Sequence, residues 1–223
     1  MAWKRMMEAA KVAGGEALVV LAAQERKARY DLSVCNTVAQ KQGNGWTLSG
    51  AKSVVPAGDL ADAFIVPAKA DGKLALFLVE RTASGVTTHG YLTQDGSRGA
   101  ELKLSGAPAA LLTLKGQEAL EHATDIGIAA LCAEAVGVMD KTLAITVDYM
   151  NTRKQFGVVI SSFQSLRHRV ADMKMQLELG RSMSYYASLK LNAPTDERRA
   201  AMSRAKFQIG NSMRFVGQQA VQL

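Results

Sequence analysis

Cysteine is scarce in this chain. Cys35 and Cys132 stand far apart, with no Cys-x-x-Cys between them. That excludes a disulfide framework and a thiolate zinc site, and it fits a reducing, cytoplasmic setting. Histidine is equally thin: His89, His122 and His168 show no ligand spacing, so no bound metal is expected. No apolar run approaches the roughly 18 residues of a membrane span. The longest, "ALVVLAA" at 17–23, reads as a strand or short core segment. The opening "MAWKRMMEAAKVAGG" has no apolar stretch of secretion-signal length and resembles the tail of an amphipathic helix. Blocks of like charge are missing too. The net charge of +7 is spread evenly, thirteen cations against ten anions over 1–114 and fourteen against ten over 115–223. Nucleic-acid binding needs clustered charge, so neither nucleic acid nor membrane is an expected partner, while an acidic small ligand remains compatible.

What is present suffices for a core: 48% hydrophobic and 21% charged residues over 223 positions. From about residue 33 to 114, short β-like runs alternate with turns. "NTVAQKQ" and "WTLSG" flank Gly43-Asn44-Gly45, and "AFIVPAKA" and "LALFLVE" flank Asp71-Gly72, a hairpin signal because both turn positions tolerate positive φ. "AELKLSG" alternates up to an apparent break at Gly106-Ala107-Pro108. These strands predict a small antiparallel barrel or sandwich. From 116 the period turns helical. Ile128, Leu131, Ala135, Val138 and Thr142 predict one seam; Leu166, Val170, Met173 and Leu177 a second; Ile209, Met213, Val216, Ala220 and Leu223 a third. "LNAPT" at 191–195 reads as the turn before the last helix, with Thr195 its N-cap. The fold class is therefore α+β: a small antiparallel β domain, then three long helices. Helices this long pair into four-helix bundles, so the third seam is expected to lie partly uncovered and the chain not to be monomeric.

The stretch "RKQFGVVISSFQSLRHRVADM" at 153–173 carries the chemistry. Arg153 and Lys154 suit a helix C-terminus, which Gly157 would end. Equally, a guanidinium fork beside helix N-terminal N–H groups suits an anionic phosphate. Gln164 closes a Ser-x-x-Gln pattern with Ser161, a capping box, or it contacts a ligand. Asp125 reads as an acid in a helix's first turn, favoured by the dipole. His168, beside two arginines, reads as a solvated surface residue.

These residues resemble the acyl-CoA dehydrogenase family, whose signature runs Arg-x-x-Phe-Gly, an apolar residue, Phe-Gln, then a helix with Ala-Asp-Met. "AEAVGVMDKTLAITVDYMNTRKQFG" resembles the helix preceding it, "GWTLSGAKSVVPAGDLADAFIVPAKA" the middle-domain strands, and "GQQAVQL" the helix entering a Gln-x-x-Gly-Gly turn. "LAAQERKARYDL" and "YLTQDG" resemble the small-subunit branch typified by pimeloyl-CoA dehydrogenases. The resemblance implies three parts: 1–32, a remnant of an N-terminal helical domain and the first strand; 33–114, the middle β domain; 115–223, a C-terminal bundle lacking its fourth helix. It implies FAD as cofactor and acyl-CoA as substrate. The implied partners are copies of this chain or a larger dehydrogenase subunit, with electron-transfer flavoprotein as a further one.

The same resemblance implies that Arg153, Gln155 and Phe156 reach the pyrophosphate of a neighbour's FAD, Gln164 its adenine side and Gln222 the same cofactor. It makes Asp125 an acyl-CoA contact, the alternative to a helix-start acid. It places the catalytic base beyond Leu223, or in some members at the position of Gly127, so no catalytic residue is expected within the chain. Two departures stand out. Gln24-Glu25-Arg26-Lys27-Ala28-Arg29-Tyr30-Asp31 replaces Thr-Glu-Pro-x-x-Gly-Ser-Asp, and Val54-Val55-Pro56 replaces a flavin-side Trp-Ile-Thr. Contacts that cross an interface are kept and those cradling the chain's own flavin are altered. The implied function is a small subunit completing a larger partner's FAD site. A self-sufficient homo-oligomer and a non-enzymatic scaffold or nucleic-acid-binding module are the alternatives.

Overall fold

The computed structural model describes residues 9–28 and 31–223. Much of the N-terminal amphipathic pattern, and Arg29 and Tyr30, lie outside the described residues. The chain divides into two compact units, Met1–Glu121 and His122–Leu223.

The first unit is built from β1 (Val19–Leu21), β2 (Val38–Gln42), β3 (Gly45–Pro56), β4 (Ala63–Ala70), β5 (Lys73–Glu80), β6 (Val86–Leu92) and β7 (Arg98–Thr113). The pairings β4–β2–β3–β7–β5 return to β4, closing a five-strand ring, with β1 and β6 attached to β4 and β7. Both predicted hairpins form. Gln42 faces Gly45 across Gly43-Asn44, and Ala70 faces Lys73 across Asp71 (φ 48°) and Gly72 (φ 76°). Phe64, Val66 and Ala68 of β4 stand directly opposite Val79, Phe77 and Ala75 of β5, all buried. With Leu48, Val55, Leu102 and Leu104 they fill the interior. A buried Phe→Ala change in such a core costs about 3–5 kcal/mol.

Two expectations are corrected. The barrel is not wholly antiparallel: β1–β4 and β2–β4 run parallel, the latter through the single pair Val38↔Lys69. Nor does the last strand break at Gly106. β7 runs on to Thr113, and the register slips opposite Leu48/Ser49, where Gly106 (φ 65°) absorbs an extra residue as a bulge.

The second unit is helical. α1 (Gly116–Thr152) begins in the first unit and continues into it, followed by α2 (Gln164–Lys190) and α3 (Thr195–Gln222). α2 buries Met173, Leu177, Gly180, Ser184 and Ala187, continuing the predicted 4-3 spacing. On α1 the buried seam is Asp125, Ala129, Cys132, Val136, Met139, Leu143, Thr146 and Met150; of the expected seam Ala135 is buried and Ile128 packs against the core, whereas Leu131 and Val138 are about half exposed. The seam is thus rotated from the one expected. On α3 Ile209 and Val216 are buried against the other helices, not uncovered, and Ser212 replaces Met213 in the seam. Ser212 donates to Gln176 of α2 at 2.8 Å and accepts from Gln208 at 3.2 Å, so a satisfied polar layer fixes the α2–α3 register. Thr195 is not the N-cap. Pro194 is extended there, and its carbonyl accepts the Arg198 N–H at 2.9 Å. Among the described residues no helix is long and apolar enough to cross a membrane.

Candidate functional site

The motif at 153–164 folds as a small projection between α1 and α2. α1 ends at Thr152, where the Thr152 hydroxyl donates back to Asp148 and Tyr149 carbonyls at 3.1 and 3.0 Å. The next residues form a two-stranded hairpin, β8 (Lys154–Gln155) against β9 (Val158–Val159). Its turn is Phe156-Gly157, with φ 54° and 81°. Gly157, five residues beyond Thr152, therefore does not end the helix; it completes a tight turn that needs positive φ at both positions. The Ile160 N–H donates to the Arg153 carbonyl at 2.9 Å and closes the projection at its base.

The functional side chains stand on this frame. Arg153, Gln155 and Gln164 are exposed, and Phe156 is 92% exposed, touching only the edge of Phe163 at 6.2 Å between ring centres. The Arg153 guanidinium makes no hydrogen bond or ion pair with any described residue, and Gln155 reaches only the adjacent Lys154 carbonyl. The capping box does not form. Phe163 occupies the N-cap of α2 without a side-chain bond, while the Ser162 hydroxyl donates to Val159 and Arg167 Nε donates to the Ser161 carbonyl at 2.6 Å. Arg169 of α2 donates to Gln219 of α3 at 3.3 Å, so Gln222 shares this end of the bundle with Gln164. His168 is exposed.

Asp125 is not brought to the motif. It lies 28 residues before Arg153 on one continuous helix, about 40 Å away at 1.5 Å per residue. It is not a first-turn acid either, since α1 begins at Gly116 and Glu118 fills that role. Asp125 is buried and accepts from Arg198 Nε of α3 at 2.7 Å. Gly127, two residues on, is exposed, and a Cβ there would meet open space.

Sequence reasoning missed a cluster in the β unit. Glu25 Oε1 accepts from Lys52 Nζ at 2.8 Å and from the Thr37 hydroxyl at 2.8 Å; Oε2 accepts from the Asn36 N–H at 2.7 Å. Burial alone would raise the carboxyl's pKa, but Lys52, Asn36 and Thr37 together hold it down at about 2. Gly50 permits this packing, because a Cβ there would fall 2.6 Å from the Thr37 hydroxyl. Glu25 and Lys52 are 27 residues apart and belong to types usually found outside, so no local pattern signals the pair. Immediately after Lys52 the strand bulges. Val54 stands at φ 50°, half exposed, and Ala57 at φ 50°.

A model of the C-terminal domain of acyl-CoA dehydrogenases matches residues 115–223, and one of the middle domain matches residues 20–105. The chain belongs to the acyl-CoA dehydrogenase family. The short-chain-specific acyl-CoA dehydrogenase of Megasphaera elsdenii is 33% identical over 190 residues, covering 74% of this chain and 47% of that protein. An FAD-dependent dehydrogenase superposes with a TM-score of 0.87 at 27% identity, over 95% of this chain and 60% of that one. The ChsE4-ChsE5 complex from Mycobacterium tuberculosis gives 0.79 at 25% identity, over 95% and 57%. The chain thus spans about half the length of the curated relative it matches.

Within this acyl-CoA dehydrogenase chain, two surfaces can be tested for fit to a flavin dinucleotide. The motif surface fits: a free guanidinium, a free amide and an uncovered phenyl ring sit beside a helix N-terminus, a donor set suited to an anionic pyrophosphate and a flat base. The Val54–Pro56 bulge fits poorly. Val54 offers no ring to stack, and Pro56 has no N–H to donate.

Proposed function

We propose that this chain belongs to a small subunit of an FAD-dependent acyl-CoA dehydrogenase, of the pimeloyl-CoA dehydrogenase kind, whose 153–164 projection completes the FAD site of a larger catalytic partner. The observation that carries the reading is Phe156. A phenyl ring 92% exposed, on a non-glycine residue held at φ 54°, contributes almost nothing to this chain's own fold. Its position is understood when a second molecule covers it. Arg153, exposed and without a side-chain partner among the described residues, and Gln155, exposed and bonded only to the adjacent Lys154 carbonyl, support the same reading. The ChsE4-ChsE5 complex supports a two-subunit arrangement on this scaffold.

FAD supplies hydride acceptance when bound. This chain's residues would orient it: Arg153 would hold the pyrophosphate with Gln155 and Phe156 beside it, Gln164 would contact the adenine side, and Gln222 would contribute to the same cofactor site. Gly127 supplies no carboxylate, so in this reading the base that takes the acyl-CoA α-proton lies outside residues 1–223, beyond Leu223 or on the partner. Electron-transfer flavoprotein is the electron acceptor in this reading, and the cytoplasm its location.

FAD affinity of the mixed assembly tests this. Charge-assisted hydrogen bonds contribute about 1.5–3 kcal/mol, so Arg153→Ala weakens FAD binding about tenfold or more with the melting temperature nearly unchanged. Arg153→Lys recovers only part, lacking the planar fork. Unchanged FAD affinity in Arg153→Ala, with a stability loss of about 0.3–1 kcal/mol, would mean that Arg153 merely complements the helix dipole.

A further inference from the structure

The buried cluster in the β unit contains a reactive pair that the proposed function does not use. Lys52 is 1% exposed and Cys35 3%. Lys52 Nζ lies 3.6 Å from Cys35 Sγ and 2.8 Å from Glu25 Oε1. The ion pair with Glu25 accounts for burying the ammonium; it does not require a thiol beside it. The other polar atoms around Sγ are the Glu25 carboxylate oxygen at 3.5 Å and the carbonyls of Thr37 and Pro67 at 3.7 and 3.4 Å. Among the described residues Nζ is therefore the one nitrogen nucleophile placed against the sulfur.

We propose that Cys35 and Lys52 form a reversible covalent crosslink when the protein meets peroxide. In the first step the Cys35 sulfur attacks one peroxide oxygen. The O–O bond breaks, sulfur is oxidised to sulfenic acid, S–OH, peroxide is reduced and one water leaves. In the second step Lys52 gives a proton to Glu25, and its nitrogen lone pair attacks the sulfenic sulfur. An S–N bond forms and the S–O bond breaks. The departing hydroxide takes a second proton from the nitrogen and leaves as water. One thiol, one ammonium, one carboxylate and one peroxide become a neutral sulfenamide, a neutral carboxylic acid and two waters. The buried charges vanish together, so neither is left unpaired, an outcome that would otherwise be strongly destabilising.

Burial raises the Cys35 thiol's pKa and slows the first step. The cover is thin, however. Val34 and Asn36 on either side are exposed, and the β2–β4 join beside the cysteine rests on one register pair, with the Lys69 N–H donating to the Thr37 carbonyl at 2.8 Å. Access therefore needs only a local opening. Cys132, also buried, has no amine of a described residue in hydrogen bond to it, although Lys206 is near enough to act on it through its charge, and it serves as an internal comparison.

The test is hydrogen peroxide treatment of the full chain followed by tryptic mapping. The expected result is loss of cleavage after Lys52 and appearance of peptide 30–41 joined to peptide 42–69, lighter than their sum by two hydrogen atoms. Thiol reductant restores both peptides and the cut at Lys52. A joined pair carrying one extra oxygen still supports the crosslink, the oxygen coming from a second peroxide and residing on the sulfur or on Trp46. Cys35→Ser, a small change, abolishes the joined pair; Lys52→Arg does so too if it folds. Normal cleavage at Lys52 with Cys35 unmodified, or bearing only added oxygen, overturns the proposal. So does a joined pair that persists in Cys35→Ser.

Discussion

Val54 is a β-branched residue in the left-handed region, a true outlier for its type. Such a conformation costs on the order of 1–3 kcal/mol, and glycine returns only about 0.5–1 kcal/mol of that through chain entropy. Because Val54 is half exposed, Val54→Gly loses little burial. It is expected to stabilise the β unit by about 1 kcal/mol, read as a rise in denaturation midpoint. Glu25 sets the acid limit of the same unit. Its folded pKa, about 2, lies below the 4.5 of an unperturbed glutamate, so between those pH values the unfolded chain binds more protons. Its contribution is full above pH 4.5 and drains away as pH falls toward 2. At 1.36 kcal/mol per unit it amounts to at most about 3 kcal/mol. Acid titration of Glu25→Gln, less stable at neutral pH, is expected to show a flatter loss over that window; parallel curves for both proteins would contradict this assignment.

Two apolar stripes run along α1 with the same period, one position apart. The sequence shows both, and periodicity alone does not say which faces inward. Leu131 and Val138 are the more hydrophobic choice, yet the buried line is the one carrying Asp125, Cys132 and Met139, with Ile128 packed at its edge. The selecting partners come from elsewhere: Arg198 for Asp125, and Gly180, where a Cβ would come 2.8 Å from Met139 Cε. Met139→Ala is therefore expected to cost about 2–5 kcal/mol, and Val138→Ala no more than about 0.5 kcal/mol; chemical denaturation of both variants separates the two faces. α2 was legible because its single stripe has no rival. The hairpin turns were legible because Asn44-adjacent and Asp71-Gly72 geometry is local. The turn at Phe156-Gly157 was not, since a two-residue strand on each side leaves no periodic trace.

On the scale of the whole molecule, the second α1 stripe has a physical consequence. Leu131, Val138, Ile145 and Tyr149 are each about half exposed, and Leu131 and Val138 border a groove of about 230 Å³ shared with Ile209 and Met213 of α3. Exposed apolar stripes of this kind mark association surfaces. The chain by itself is expected to bind an apolar-surface dye or to associate in sedimentation; Leu131→Lys with Val138→Lys should reduce both while leaving the fold intact. A dilute monomer that binds no dye would contradict it. Fold class and the signature at 153–173 were readable from the sequence, though not its projecting hairpin, because long helical periods and a compact signature are local patterns. The ring closure and the Glu25–Lys52–Cys35 cluster were not, because each depends on residues brought together from distant strands. That ring has one thin join. Most of its ladders carry several register pairs, but β2 meets β4 at Val38↔Lys69 alone. The barrel will therefore breathe there first, with the Lys69 amide exchanging its proton early. The opening frequency of that single join, more than the intrinsic reactivity of the thiol behind it, then sets how quickly an oxidant is sensed.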